Sequence, residues 1–211
     1  MARAYIQSGL AKRVLLVGGE VISRIMDYKD RSSCILFGDA AGAVIVGRSD
    51  DPKFGLGMPR KIKDVRLGAD GRGVELIQML AGGSARPATH ATVDERQHFM
   101  HVDGRDVFRF AVTKMVDMLR EIMEAHQLKP EHLGRIIPHQ ANIRILEAAS
   151  ERLGIPMSGF ETNLAEYGNT SAASVPLAWD EGRAAGRIPT DKPLILMAFG
   201  GGLTWGSALI E

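Results

Sequence analysis

The sequence has 211 residues, 26 Lys+Arg against 25 Asp+Glu (formal net charge +1), 45% hydrophobic and 24% charged residues, and one Cys. That composition belongs to a globular chain long enough to bury a core, and it excludes intrinsic disorder. The balanced charge excludes a generally basic nucleic-acid binder, the lone cysteine excludes an internal disulfide, and no apolar run is long enough to span a bilayer.

The chain opens on MARAYIQSGLAK, which has no apolar leader core, so the cytoplasm is the expected location. Residues 1–8 read as a helix stopped at Gly9. No capping residue precedes that helical pattern, so the helix reads as entered midway. Residues 13–18 form a short apolar strand. Residues 33–47 (SCILFGDAAGAVIVG) read as two buried strand pieces around a small-residue turn punctuated by Asp39 and Gly42. Residues 48–104 hold much of the Gly, Pro and charge and read as irregular excursions with short strands. The clearest helix spans 105–126, with Phe108, Ala111, Val112, Met115, Leu119 and Ile122 at helical spacing and Lys129-Pro130 beyond its end. Its methionines 115, 118 and 123 read as core or rim. Residues 135–138 are a very short buried strand, and 141–153 a second amphipathic helix stopped by Gly154 and Pro156. A third helix spans 170–185 with Pro176 in its early part. A continuous apolar strand at 194–199, three glycines and a last strand at 203–210 complete the chain. Continuous apolar strands separated by helices predict a layered α/β fold with helices on both sheet faces.

Three segments carry candidate chemistry. Pro138-His139-Gln140-Ala141-Asn142 lies between a buried strand and a helix, and α/β sheets bind ligands at strand ends. An imidazole fixed there donates a hydrogen bond or shuttles a proton; the plainer alternative is a cap on the following helix. Residues 167–174 (YGNTSAAS) open a helix. Asn169 or Thr170 serves as its N-cap, or the Asn169 amide points into a cleft as a donor. AFGGG at 198–202 leads from one strand to another without a complete GxGxxG or Walker pattern, which favours close backbone approach to a site over a nucleotide loop. His90, His98 and His101 lack the spacing of a metal site and read as a solvated loop, so no metal is expected. Cys34, with no neighbouring base or cation, reads as an inert thiol.

These three segments, with FGDAAGA at 37–43 and DVFRFAV at 106–112, are similar to those of 3-oxoacyl-acyl-carrier-protein synthase III, of the thiolase superfamily. The resemblance runs from Met1 to Glu211 and is weakest over 70–100. It implies a thiolase-like layered αβαβα fold of two related halves. This chain resembles the last two thirds: 1–47 as the remainder of the N-terminal half, 48–104 as an irregular connecting segment, 105–211 as the C-terminal half. It implies a decarboxylative Claisen condensation initiating fatty acid synthesis, in which an acyl group from acyl-CoA is carried on a cysteine and attacked by malonyl-acyl-carrier protein.

His139 and Asn169 match the family's catalytic His and Asn, which donate hydrogen bonds to the malonyl thioester carbonyl and stabilise the enolate. Phe199 matches a phenylalanine lining that site, and Gly200 and Gly201 lie beside the acyl thioester. Arg31, Ala141 and Asn142 match contacts to coenzyme A, and Arg144 matches a basic position that docks the acidic carrier protein. The family's nucleophilic cysteine falls upstream of Met1, and Cys34 stands where the family has an ordinary strand residue. The resemblance implies no resident cofactor, coenzyme A thioester being the substrate, and a homodimer in the full-length form; neither nucleic acid nor membrane is an expected partner. Two other readings stay open: a non-catalytic truncated or partner half of the same fold, and a related acyl transferase of the superfamily.

Overall fold

The computed structural model describes residues 1–51 and 60–211, so part of the expected irregular segment lies outside the described residues. The chain opens with helix α1 (Ala2–Gln7) and strand β1 (Arg13–Glu20). Strand β2 (Ala40–Gly47) pairs antiparallel with β1. Then come β3 (Ile62–Ala69), β4 (Ile77–Met79), α2 (His90–Asp94) and β5 (Met100–Val102), with β4 and β5 paired. The remainder runs α3 (Gly104–Ala125), β6 (Arg135–Pro138), α4 (Ile143–Leu153), α5 (Leu164–Tyr167), α6 (Ser174–Ala184), β7 (Leu194–Gly200) and β8 (Thr204–Ile210).

Local chemistry accounts for the main helices. Asp103 caps α3, its carboxylate accepting from Asp106 N–H at 3.1 Å, and the apolar stripe behind it keeps helical spacing for 22 residues. Asn142 caps α4 in the same way through Arg144 N–H at 3.0 Å, and Gly154 stops it at φ 64°. Pro176 falls in the first turn of α6, where its missing N–H costs no hydrogen bond.

Strands β3, β8, β7 and β6 form a four-stranded sheet in that order, parallel between β6 and β7 and antiparallel elsewhere. One face, with Ile136, Ile195, Met197 and Leu209, packs on α3 and α4. The other face, with Ile137, Leu194 and Ile210, packs on Ala178 and Trp179 of α6. Helix α6 also lies against β2, and α1 touches both β1 and β2. The layers therefore run α3 and α4, four-stranded sheet, α6 and α1, then the β1–β2 pair. That is the layered α/β arrangement the sequence suggests, with four layers among the described residues. The outward face of β1–β2, carrying Leu15, Val17 and Ile45, is exposed.

Two stretches differ from the sequence reading. Residues 31–36 are turns, not a strand piece, and only Phe37 makes an isolated bridge. The Asp30 carboxylate accepts from Ser32 N–H, Ser32 Oγ and Ser33 Oγ at 2.6–2.9 Å, and this local bonding outcompetes the strand preference of Ile35 and Leu36. Within 48–104, β3 is a full eight-residue strand at the edge of the main sheet. It is hard to see because its pattern is inverted: Val65 and Leu67 are exposed, while Asp64 and Arg66 face inward, bonded to each other at 3.0 Å.

Candidate active site

Strand β6 ends at Pro138, and His139 extends its pairing by one residue, its N–H donating to Met197 O at 2.7 Å. Gln140 then fixes the turn. Its amide is fully buried and fully bonded: Nε2 donates to Pro138 O and Glu161 O at 2.7 and 3.1 Å, and Oε1 accepts from Thr162 Oγ1 and Asn163 N–H at 2.9 and 3.2 Å. Buried amides satisfied on both sides rigidify the loop that holds them. Glu161 is itself buried and paired with Arg135 and Arg187 at 3.3 and 2.6 Å.

Asn169 arrives on a different loop. Its N–H donates to Leu36 O at 2.8 Å and its carbonyl accepts from Gly38 N–H at 2.9 Å, which makes the parallel bridge to Phe37. Two glycines permit this crossing. A Cβ on Gly38 would lie 2.0 Å from Tyr167 O; Gly168 sits at φ +66°, and a Cβ there would lie 3.0 Å from Leu36 O. The FGD and YGN motifs thus meet backbone to backbone. The Asn169 side chain does not cap α6, whose N-cap is Ala173. Its Oδ1 accepts from Ser171 N–H at 2.9 Å, and Nδ2 has no hydrogen-bond partner among the described residues.

Ser174 joins the two loops. It is fully buried, its Oγ lies 2.7 Å from His139 Nδ1, and it donates to Ser171 O at 2.7 Å. His139, Ser174, Ser171 and Asn169 therefore form one short chain of contacts. The Phe199 ring meets the His139 ring edge-on, centroids 5.7 Å apart at 75°. Burial pushes the His139 pKa down to about 4, against a smaller opposing effect of the Ser171 backbone, so the ring is neutral at pH 7. Its Nε2 has no partner among the described residues and is not a sealed atom. A neutral imidazole and a free amide N–H at the end of a parallel strand pair can bind and polarise a carbonyl.

The other expected site residues are placed less uniformly. Ala141 is half-buried next to Gln140, and its N–H donates to His139 O at 3.1 Å. The Asn142 side chain is engaged by the helix cap, so the capping alternative holds there and not at His139. Gly200 ends β7 directly after Phe199, and Gly201 follows in an exposed turn. Arg144 is exposed in the first turn of α4, and Arg31 is exposed in the turn before Phe37. Cys34 is a free, half-buried thiol in that same turn. Among the loop histidines, His98 Nε2 bonds to Thr92 Oγ1 at 2.9 Å. Ser174 and Gln140 are the residues motif reading passes over. Both lie inside quoted motifs, but their roles rest on bonds that span 35 and 21 to 23 residues.

Two family models match the chain, both described as 3-oxoacyl-[acyl-carrier-protein (ACP)] synthase III: one over residues 1–71, the other, the C-terminal part, over 123–211. The chain is 43% identical over 211 residues to the β-ketoacyl-[acyl-carrier-protein] synthase III of Chlorobium phaeobacteroides and 44% identical to that of Caldanaerobacter subterraneus. Each match takes in 100% of this chain and 62% of the relative, so the chain spans 62% of the length of these curated relatives. The solved β-ketoacyl-[acyl-carrier-protein] synthase III from Thermus thermophilus superposes with a TM-score of 0.84 at 38% identity, covering 99% of this chain and 62% of that one. OleA from Xanthomonas campestris, at 17% identity, shares the fold with a TM-score of 0.79 over 99% of this chain and 60% of that one.

Proposed function

The chain belongs to the 3-oxoacyl-[acyl-carrier-protein] synthase III family, and from that membership we propose that it serves the decarboxylative Claisen condensation that initiates fatty acid synthesis. An acyl group from acyl-CoA would be joined to malonyl-acyl-carrier protein. The observation that supports this reading most is the His139–Ser174–Ser171–Asn169 linkage with Phe199 against the ring.

Loss of carbon dioxide from a malonyl thioester leaves an enolate, with charge collecting on the thioester oxygen. Donors aimed at that oxygen stabilise the transition state more than the ground state. Asn169 donates from Nδ2, and His139 donates from Nε2 whenever that nitrogen carries the hydrogen. Phe199, itself 8% exposed, gives the enolate an apolar wall. The acyl group is carried on a cysteine thiol in this chemistry; Cys34, in the turn before Phe37, is not assigned that role. Arg31, Ala141 and Asn142 hold coenzyme A, Gly200 and Gly201 flank the acyl thioester, and Arg144 attracts the acidic carrier protein. No resident cofactor is needed. The setting is the cytoplasm, with a homodimer as the full-length form; no helix of the described residues is long and apolar enough to cross a membrane.

The test is carbon dioxide release from malonyl-acyl-carrier protein in the presence of acetyl-CoA. His139→Ala and Asn169→Ala should each slow release by about 10²–10³, the typical loss for one such donor. No release from the parent protein, or release indifferent to both substitutions, overturns the proposal.

A further inference from the structure

We propose that Arg96 and Asp27 are positioning residues for coenzyme A: their ion pair anchors the turn that presents Arg31. This deepens the proposed chemistry and rests on the reading that Arg31 holds coenzyme A. Residues 28–36 are turn and loop, and Arg31 is exposed there with no hydrogen-bond or ion-pair partner among the described residues. An unpaired arginine is placed only as well as the backbone that carries it.

One end of that turn is held by the candidate site, through Asn169 N–H to Leu36 O at 2.8 Å. The other end is held by Asp27. Its carboxylate accepts from Lys29 N–H at 2.8 Å, and its carbonyl accepts from Asp30 N–H at 2.9 Å. Asp30 in turn binds Ser32 and Ser33 through its carboxylate, and its carbonyl accepts from Cys34 N–H at 3.1 Å. Hydrogen bonds therefore lead from Asp27 past Arg31 to Cys34.

Arg96 grips Asp27 from a segment 69 residues away. Its Nε donates to Asp27 Oδ2 at 2.8 Å, and a second guanidinium nitrogen donates to Oδ1. The guanidinium also lies over the Phe99 ring, 4.7 Å from its centroid. A carboxylate fork on one side and a ring on the other fix a long side chain that is otherwise free. Both partners are half-buried, unlike the exposed pairs that contribute little. The guanidinium holds the Asp27 carboxyl down to about 2, so the pair stays ionised at neutral pH. Arg96 sits at φ +58° just past α2, where a residue other than glycine carries backbone strain. The contacts of its side chain offset that strain. Its own backbone is tied down as well: Arg96 N–H donates to Val93 O at 2.9 Å, and Gln97 O accepts from Ala81 N–H at 3.0 Å.

Cys34, the chain's one cysteine, reports on the turn. The experiment is its alkylation rate by iodoacetamide, alone and with acetyl-CoA, which carries no free thiol. Without ligand, Arg96→Gln should label several-fold faster than the parent. Arg96→Lys, which keeps the charge and loses the fork, should fall between them, and Asp27→Arg combined with Arg96→Asp should return toward the parental rate. A parental rate in Arg96→Gln overturns the anchor; should that variant not fold, Arg96→Lys and the charge swap decide the same question. With acetyl-CoA, Arg31→Ala and Arg96→Gln should each raise the concentration that half-protects Cys34 by about tenfold. The double variant should be little weaker than Arg31→Ala, because Arg96 acts through Arg31. Losses that multiply overturn the positioning role. An Arg31→Ala protein with parental protection overturns the coenzyme A reading of Arg31 instead, and the ligand-free rates still decide the anchor.

Discussion

His139 shows how one residue's surroundings set its chemistry. Burial holds its pKa near 4 in the folded chain, whereas an imidazole in the unfolded chain titrates near 6.5. Between those values the unfolded chain binds a proton that the folded chain does not. The stability contributed is therefore fully present above pH 6.5 and is lost as the pH falls toward 4. Full loss amounts to about 3 kcal/mol. Urea unfolding at pH 7 and pH 4.5 should show a larger drop for the parent protein than for His139→Gln; equal drops would place the proton elsewhere. His139 and Asn169 are legible in the sequence because each sits in a compact motif at an element boundary. The contact of Ser174 with His139 Nδ1 is not, because it spans 35 residues and exists only once β6 and α6 have packed.

At the scale of elements, the site depends on how closely two loops cross. Gly38→Ala would put a methyl group 2.0 Å from Tyr167 O and push the Asn169 loop away from Phe37. We expect a loss of about 1–3 kcal/mol in urea unfolding, with slowed carbon dioxide release, since Asn169 is displaced with its loop. A Gly38→Ala protein of parental stability and rate would show that the crossing is slack. The long helices are legible from sequence because caps such as Asp103 and Asn142 and an apolar stripe are local signals. The turn at 31–36 and strand β3 are not, for opposite reasons. In the first, Asp30 bonds locally and defeats an apolar run. In the second, Asp64 sits on the packed side because Arg66 and His126 reach it, at 3.0 and 2.9 Å, and this reverses the expected alternation.

Over the whole molecule, the larger buried cluster lies on the α3–α4 side of the four-stranded sheet. The α3–α4 side buries Met115, Leu119 and Ile122 completely, whereas Leu67 of β3 is 79% exposed. Met115→Ala should cost about 2–5 kcal/mol, and Leu67→Lys should change stability by no more than about 0.5 kcal/mol. Urea midpoints with a common slope check both, and a large loss from Leu67→Lys would mean that this face is covered in solution. The same layering brings the end of β6, the head of α6 and the 167–171 loop into contact, so the proposed pair is a product of the fold rather than of any one segment. Whether that pair works as a unit is tested most directly by carbon dioxide release from malonyl-acyl-carrier protein in His139→Ala, Asn169→Ala and the double variant. Residues stabilising one oxyanion together give a double variant little slower than the slower single. Losses that simply multiply, as for independent sites, would contradict a shared site.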